Sequence, residues 1–171
     1  LAPSMTDAWH GLIKLNIQAG QFELATRQSD QLLINSQTAD DYAIAAYAYS
    51  YSGDEAIATG HYQQALIQDK DNVSALLGFA QLQLNLGNKV DCLRLCQQVI
   101  INEPDNTDAK LIIVQASKIS ADDSIFTDLL KKEGELHETQ TTLAIPLNFA
   151  LAKCFDDQQN YTAAAHYYSR G

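Results

Sequence analysis

The chain has 171 residues, 46% of them hydrophobic and 19% charged, enough for a sizeable apolar core. Its net charge of −10 argues against a general nucleic-acid binder, which needs a basic surface, and favours a basic or neutral partner. No run of about 18 apolar residues is present, as a membrane-spanning helix would require, and the start of the chain carries neither the basic nor the apolar region of a signal peptide.

Helical periodicity dominates the chain, and alternating apolar–polar runs are scarce. Residues 1–5 read as the tail of an earlier unit, because Pro3 precedes Gln37, the last position but one of the next unit, by 34 residues. The first full unit covers about 6–38. Trp9, Leu12, Ile13 and Asn16 stripe one helix, Gly20 makes a turn, and Phe22, Ala25, Ser29 and Leu32 stripe the next. The second unit covers about 39–72. It repeats the pattern with Tyr42, Ala45, Ala46 and Tyr49, then Gly53, then Ala58, Tyr62, Ala65 and Leu66. Gly60 interrupts its second helix at about 1 kcal/mol relative to alanine, either to allow close packing or as a local irregularity.

The third unit, about 73–106, is the clearest. SALLGFAQLQLNLG stops at Gly87, KVDCLRLCQQVIIN follows, and Pro104 ends it. Asn106 or Asp108 can cap what comes next. Gly20 to Gly53 is 33 residues and Gly53 to Gly87 is 34, a period that marks an array of stacked units. The fourth unit, about 107–144, is irregular. Its first helix, AKLIIVQASKIS, is plain, but Ile125, Phe126, Leu129 and Leu130 run into Gly134, and the spacing onward is about four residues too long. Asp122 or Asp123 reads as a helix cap. The fifth unit, 145–171, carries Leu151, Ala152, Phe155, Tyr161, Ala164 and Tyr168, and reaches Gly171 before its second helix is complete. Pro146 suits a helix start; in a helix beginning at Thr142 it would introduce a kink. Both ends are therefore expected to be cut within repeats of a longer protein.

Little in the chain points to chemistry. Cys92, Cys96 and Cys154 are odd in number and contain no CxxC pair, so they read as small core residues of a reducing, cytoplasmic setting. A periplasmic chain whose signal has been removed fits the same residues. His10, His61, His137 and His166 are too widely spaced for a metal site. Lys131-Lys132 is too short for a basic patch, and no GxSxG, P-loop or HExxH motif occurs. The expectation is a chain that is not an enzyme and needs no cofactor or metal.

The recurring slots resemble the tetratricopeptide repeat. Leu76, Phe79, Ala80, Gly87, Cys92, Cys96, Val99 and Pro104 fill its pattern in the third unit, and Trp9, Leu12, Gly20, Phe22 and Ala25 in the first. The resemblance implies an all-α fold, a right-handed α-solenoid of antiparallel helix hairpins forming one domain over 1–171. It implies a scaffold that binds a protein or peptide in a groove lined by the first helix of each hairpin. In that register the groove takes His10, Lys14, Ile17 and Gln18, then Ala43, Tyr47, Ser50 and Tyr51. It continues with Ser74, Leu77, Gln81, Leu84 and Asn85, then Asp108, Leu111, Gln115 and Lys118. Chaperone-tail-binding repeats of the family clamp a carboxylate with Lys and Asn. Here the matching slots hold His10, Lys14, Ile44, Ser74 and Gly78, and Lys14 stands where Asn is expected, so that mode is not anticipated.

A narrower stretch, Phe149 to Lys153 with Asp156, Asp157, Tyr161, Ala164, His166, Tyr167 and Gly171, is similar to the last repeat before the catalytic domain of bacterial tetratricopeptide-repeat sulfotransferases. Ala152 replaces a common glycine there. The alternative this implies is a non-catalytic repeat segment that positions substrate for a domain outside the chain, since no phosphosulfate-binding loop is present.

Overall fold

The computed structural model describes residues 3–136 and 141–171. Leu1, Ala2 and His137 lie outside them. The described residues form ten α-helices and no strand, an all-α fold of helix-hairpin repeats. They divide into two compact units, Leu1–Asp91 and Cys92–Gly171, with the division inside the sixth helix.

The first unit holds α1 (Pro3–Gln18), α2 (Phe22–Asn35), α3 (Ala39–Ser52), α4 (Glu55–Gln68), α5 (Val73–Asn85) and the start of α6 (Lys89–Asn102). Residues 3–5, expected as the tail of an earlier unit, belong to α1. Proline is tolerated in the first turn of a helix, where its missing N–H is no loss. The turns at Gly20, Gly53 and Gly87 have φ of 72°, 88° and 81°, the left-handed region where a glycine has no Cβ to clash.

Ile13, Ile17, Ala25, Leu32, Ile44 and Ala48 form a core against which Trp9 and Phe22 pack. Ala25 and Ala58 are fully buried, and such small side chains let paired helices approach closely. Polar contacts set the helices in place. Asn16 donates to Gln28 at 2.6 Å, joining α1 to α2. Tyr49 donates to Asp30 at 2.8 Å, joining α3 to α2. Asn72 caps α5 by accepting from the Ala75 N–H, and its amide donates to Asp40 at 2.7 Å.

The second unit holds the rest of α6, then α7 (Thr107–Ala116), α8 (Ser124–Gly134), α9 (Thr141–Asp157) and α10 (Tyr161–Tyr168). Asn106 caps α7 and Asp123 caps α8, each accepting a backbone N–H at 2.9 Å. The irregularity read at the fourth unit has a physical form. α7 is ten residues long, and the segment after it is tied to α9: Lys153 donates to the Ser117 carbonyl and to Asp157, which accepts from the Ile119 N–H at 3.0 Å. The boundary expected at residue 145 falls inside α9. Pro146 is internal to that helix, but it is exposed, so the carbonyl its missing N–H leaves free can be solvated.

The turn into α10 has no glycine. Gln159 takes φ of 62° there, and it is the one non-glycine residue with positive φ among those described. Cys92, Cys96 and Cys154 are all buried and free. Burial pushes the Cys96 thiol up to about 12, with Cys92 adding to it, and the Cys154 thiol up to about 11. These thiols stay protonated and inert, as core cysteines do.

Candidate binding cavity

The first unit contains a cavity of about 460 Å³ between α1, α3 and α5, reached by one side chain from α4. That size is ordinary for a pocket receiving a small group. α1 contributes His10, Lys14 and Gln18, one helical turn apart on a single face. α3 contributes Asp40, Ala43, Ile44 and Tyr47, and α5 contributes Ser74, Leu77 and Gly78. From α4 comes Tyr62.

His10 is fixed by Asp41, a carboxylate with no solvent exposure. Asp41 accepts from His10 Nε2 at 2.7 Å, from the Ser36 hydroxyl at 2.6 Å, and from the Thr38 N–H and hydroxyl at 2.9 and 2.7 Å. Its own N–H donates back to Thr38 Oγ1, completing a capping box at the start of α3. Burial alone would raise the Asp41 pKa, but the bonds from Ser36, Thr38 and His10 outweigh it and hold the carboxyl below its ordinary value. Asp41 is therefore ionised at neutral pH and fixes α1 against α3.

Tyr47 forms the aromatic wall. Its ring meets Tyr51 edge-on at 4.9 Å, and Tyr51 lies 6.1 Å from Phe22. Burial, then the neighbouring Tyr51 hydroxyl, pushes the Tyr47 phenol up to about 12, so it remains a neutral donor. Tyr62 stacks on Phe79 at 5.5 Å and is 1% exposed. Its hydroxyl passes beside Gly78: a Cβ added there would come within 2.8 Å of two Tyr62 ring carbons.

Of the residues expected to line a groove, the cavity brings together His10, Lys14, Gln18, Ala43, Tyr47, Ser74 and Leu77. Tyr51 is exposed beside Tyr47 but outside the cavity lining. Gln81 donates to Asn85 at 3.0 Å, so these two amides engage each other. In the second unit, Asp108 is exposed in the first turn of α7. Leu111 is buried at 6% exposure, a correction to its reading as an open groove residue, because α7 is enclosed on nearly every side. Gln115 is exposed beside Ile145, Pro146 and Phe149 of α9. Lys118 lies past the end of α7, near Ile119 and Asp157. Sequence reasoning misses Asp40 and Tyr62 as lining residues. The pattern puts Tyr62 in a core stripe, and its ring and hydroxyl are both buried. The signal for its close approach to α5 is Gly78, a glycine inside an apolar helix.

Among the described residues, no group of three or more His, Cys, Asp or Glu is placed to hold a metal. No helix among them is long and apolar enough to cross a membrane.

Residues 52–116 match a family model described as tetratricopeptide repeat. No curated protein sequence matches the chain. Among solved structures, the chain resembles that of Pseudomonas aeruginosa pilF, with TM-score 0.70 and 18% identity over 96% of this chain and 73% of that one. It also resembles MamA 41-end from Desulfovibrio magneticus RS-1, with TM-score 0.67 and 13% identity over 96% of this chain and 91% of that one. A third likeness, to MamA AMB-1, has TM-score 0.63 and 15% identity over 94% of each chain. At these identities the likeness is one of fold, that of the tetratricopeptide solenoids.

Proposed function

We propose that this chain is a protein-interaction module whose first unit receives a segment of a partner protein in the cavity between α1, α3 and α5. The observation that carries this reading is the lining itself. The side chains of Lys14 and Gln18 on α1 and of Ser74 on α5 line an open concavity and make no hydrogen bond within the described residues, while Tyr47, Ile44 and Leu77 supply apolar contact. Apolar and aromatic anchors would give affinity, and the polar groups would orient the peptide backbone.

The test is a random-peptide phage library panned on the full chain. Enrichment of related peptides that Tyr47→Ala and Leu77→Ala variants fail to bind supports the reading. No enrichment over a folded control protein, or enrichment unchanged by both substitutions, overturns it. The alternative, a repeat segment that positions substrate for a sulfotransferase domain, rests on the similarity of residues 149–171 alone; sulfate transfer from a phosphosulfate donor by the parent protein would test it.

A further inference from the structure

Lys14 and Asp40 both line the cavity and are both exposed, so a segment held there meets them directly. Neither has an opposite charge beside it. Lys14 makes no ion pair or hydrogen bond among the described residues. Asp40 accepts from the Asn72 amide at 2.7 Å and makes no ion pair among them.

The two charges also stand at different levels. His10 of α1 donates to Asp41 of α3, and Phe22, just past α1, has its ring 6.1 Å from that of Tyr51 near the end of α3. The two helices therefore run in the same direction, with His10 beside Asp41. Asp40 lies one residue before that level and Lys14 four residues beyond it. At 1.5 Å per residue, these positions are about 7–8 Å apart along the helix axes.

We propose that the cavity takes an extended partner segment with one basic and one acidic side chain two positions apart, the basic one on Asp40 and the acidic one on Lys14. This rests on the interaction reading above and names the chemistry of its segment.

Three features converge on that choice. First, the cavity offers both signs. A segment with charge of one sign would be drawn to one end and repelled at the other, since the separation is within a Debye length of about 8 Å. An uncharged segment would take water from both groups without returning an opposite charge. Second, the spacing fits an extended chain, in which side chains two positions apart share a face about 6.7 Å apart. Third, Gln18 and Ser74 line the same cavity, are exposed, and make no hydrogen bond among the described residues. An extended segment brings them free backbone N–H and C=O groups, whereas an α-helix has already paired its own.

The test pans the peptide library on the full chain and on its Asp40→Asn and Lys14→Met variants. Peptides selected by the wild-type chain should share a Lys or Arg two positions from an Asp or Glu. On Asp40→Asn the basic preference should vanish while the acidic one persists, and Lys14→Met should do the reverse. Lys14→Glu should select two basic residues instead of one of each sign. A synthetic wild-type-selected peptide should lose about 2- to 5-fold in affinity on either neutral variant, the effect of one half-exposed ion pair. Selection of one sign alone or of no charge overturns the inference, as does a charge pair that both neutral variants still select; each outcome leaves the interaction reading standing. Failure to enrich any peptide overturns both. Should circular dichroism show the variants unfolded, the wild-type chain alone decides. Equal affinity for the selected peptide and for its analogue with methionine and glutamine at the two charged positions overturns the inference.

Discussion

His10 of α1 donates to Asp41 of α3 at 2.7 Å, and Asp41 is fully buried while accepting three further hydrogen bonds. A carboxyl whose folded pKa lies below its ordinary 3.8 contributes stability that is complete above that value. The contribution disappears as pH falls through the lower folded pKa. The wild-type chain should therefore lose stability below about pH 4 more steeply than Asp41→Asn, which lacks the titration. At neutral pH, Asp41→Asn should cost about 2–4 kcal/mol, because Asn cannot accept the same set of donors. Urea midpoints between pH 3 and 7 measure both effects; parallel profiles for the two proteins would contradict the assignment.

Two helical glycines should respond in opposite directions to the same substitution. At Gly60 of α4 a Cβ would meet no atom within 4 Å, so Gly60→Ala should stabilise by about 1 kcal/mol through helix propensity alone. At Gly78 of α5 that gain is outweighed by the collision with the Tyr62 ring, and Gly78→Ala should cost about 1–3 kcal/mol. In a Tyr62→Leu background most of that cost should vanish, since the two residues share one space. Thermal denaturation of the four proteins gives the coupling directly.

These glycines also show what is legible in the sequence. The period of Gly20, Gly53 and Gly87 reveals the fold class, because left-handed turns between helices leave few alternatives to glycine. Seven of the seventeen groove residues come together in one cavity, because residues four apart on a helix share a face whatever the packing. What periodicity does not carry is which face of a helix is covered. Leu111 sits at a groove position but is buried. Tyr62 is buried, hydroxyl included, and still borders the cavity, and a residue-by-residue division into core and groove cannot describe both. From its place in a helix Gly60 could mark either close packing or a local irregularity; a Cβ there would meet no atom within 4 Å, and the close approach is at Gly78.

Gln159 stands in the turn between α9 and α10 with φ of 62°, where the turns of the first unit use glycine. A side chain in the left-handed region costs about 1–2 kcal/mol, and glycine gives back part of this through its freer unfolded state. Gln159→Gly should raise stability by roughly 0.5–1 kcal/mol. A lowered melting temperature would show that the Gln159 side chain compensates for its backbone.

Lys110 and Asp128 pair at 2.6 Å with unequal burial, the lysine side chain 7% exposed and the aspartate 47%. The two halves of the pair should therefore differ. Asp128→Asn leaves an ammonium enclosed without its counter-charge and should cost about 1–3 kcal/mol. Lys110→Met removes the enclosed charge and leaves an aspartate that water can reach, and should fall within about 1 kcal/mol of wild type. Chemical denaturation at neutral pH compares them, and equal losses would contradict the asymmetry.

The tie between α9 and the segment after α7 has a consequence for local opening. The Ile119 N–H belongs to no helix, yet it donates to Asp157, whose carboxylate Lys153 also holds. Solvent deuterium can reach that amide only when this contact parts. Ile119 should thus exchange on the slow timescale of the α9 backbone, a connecting segment with the protection of a helix.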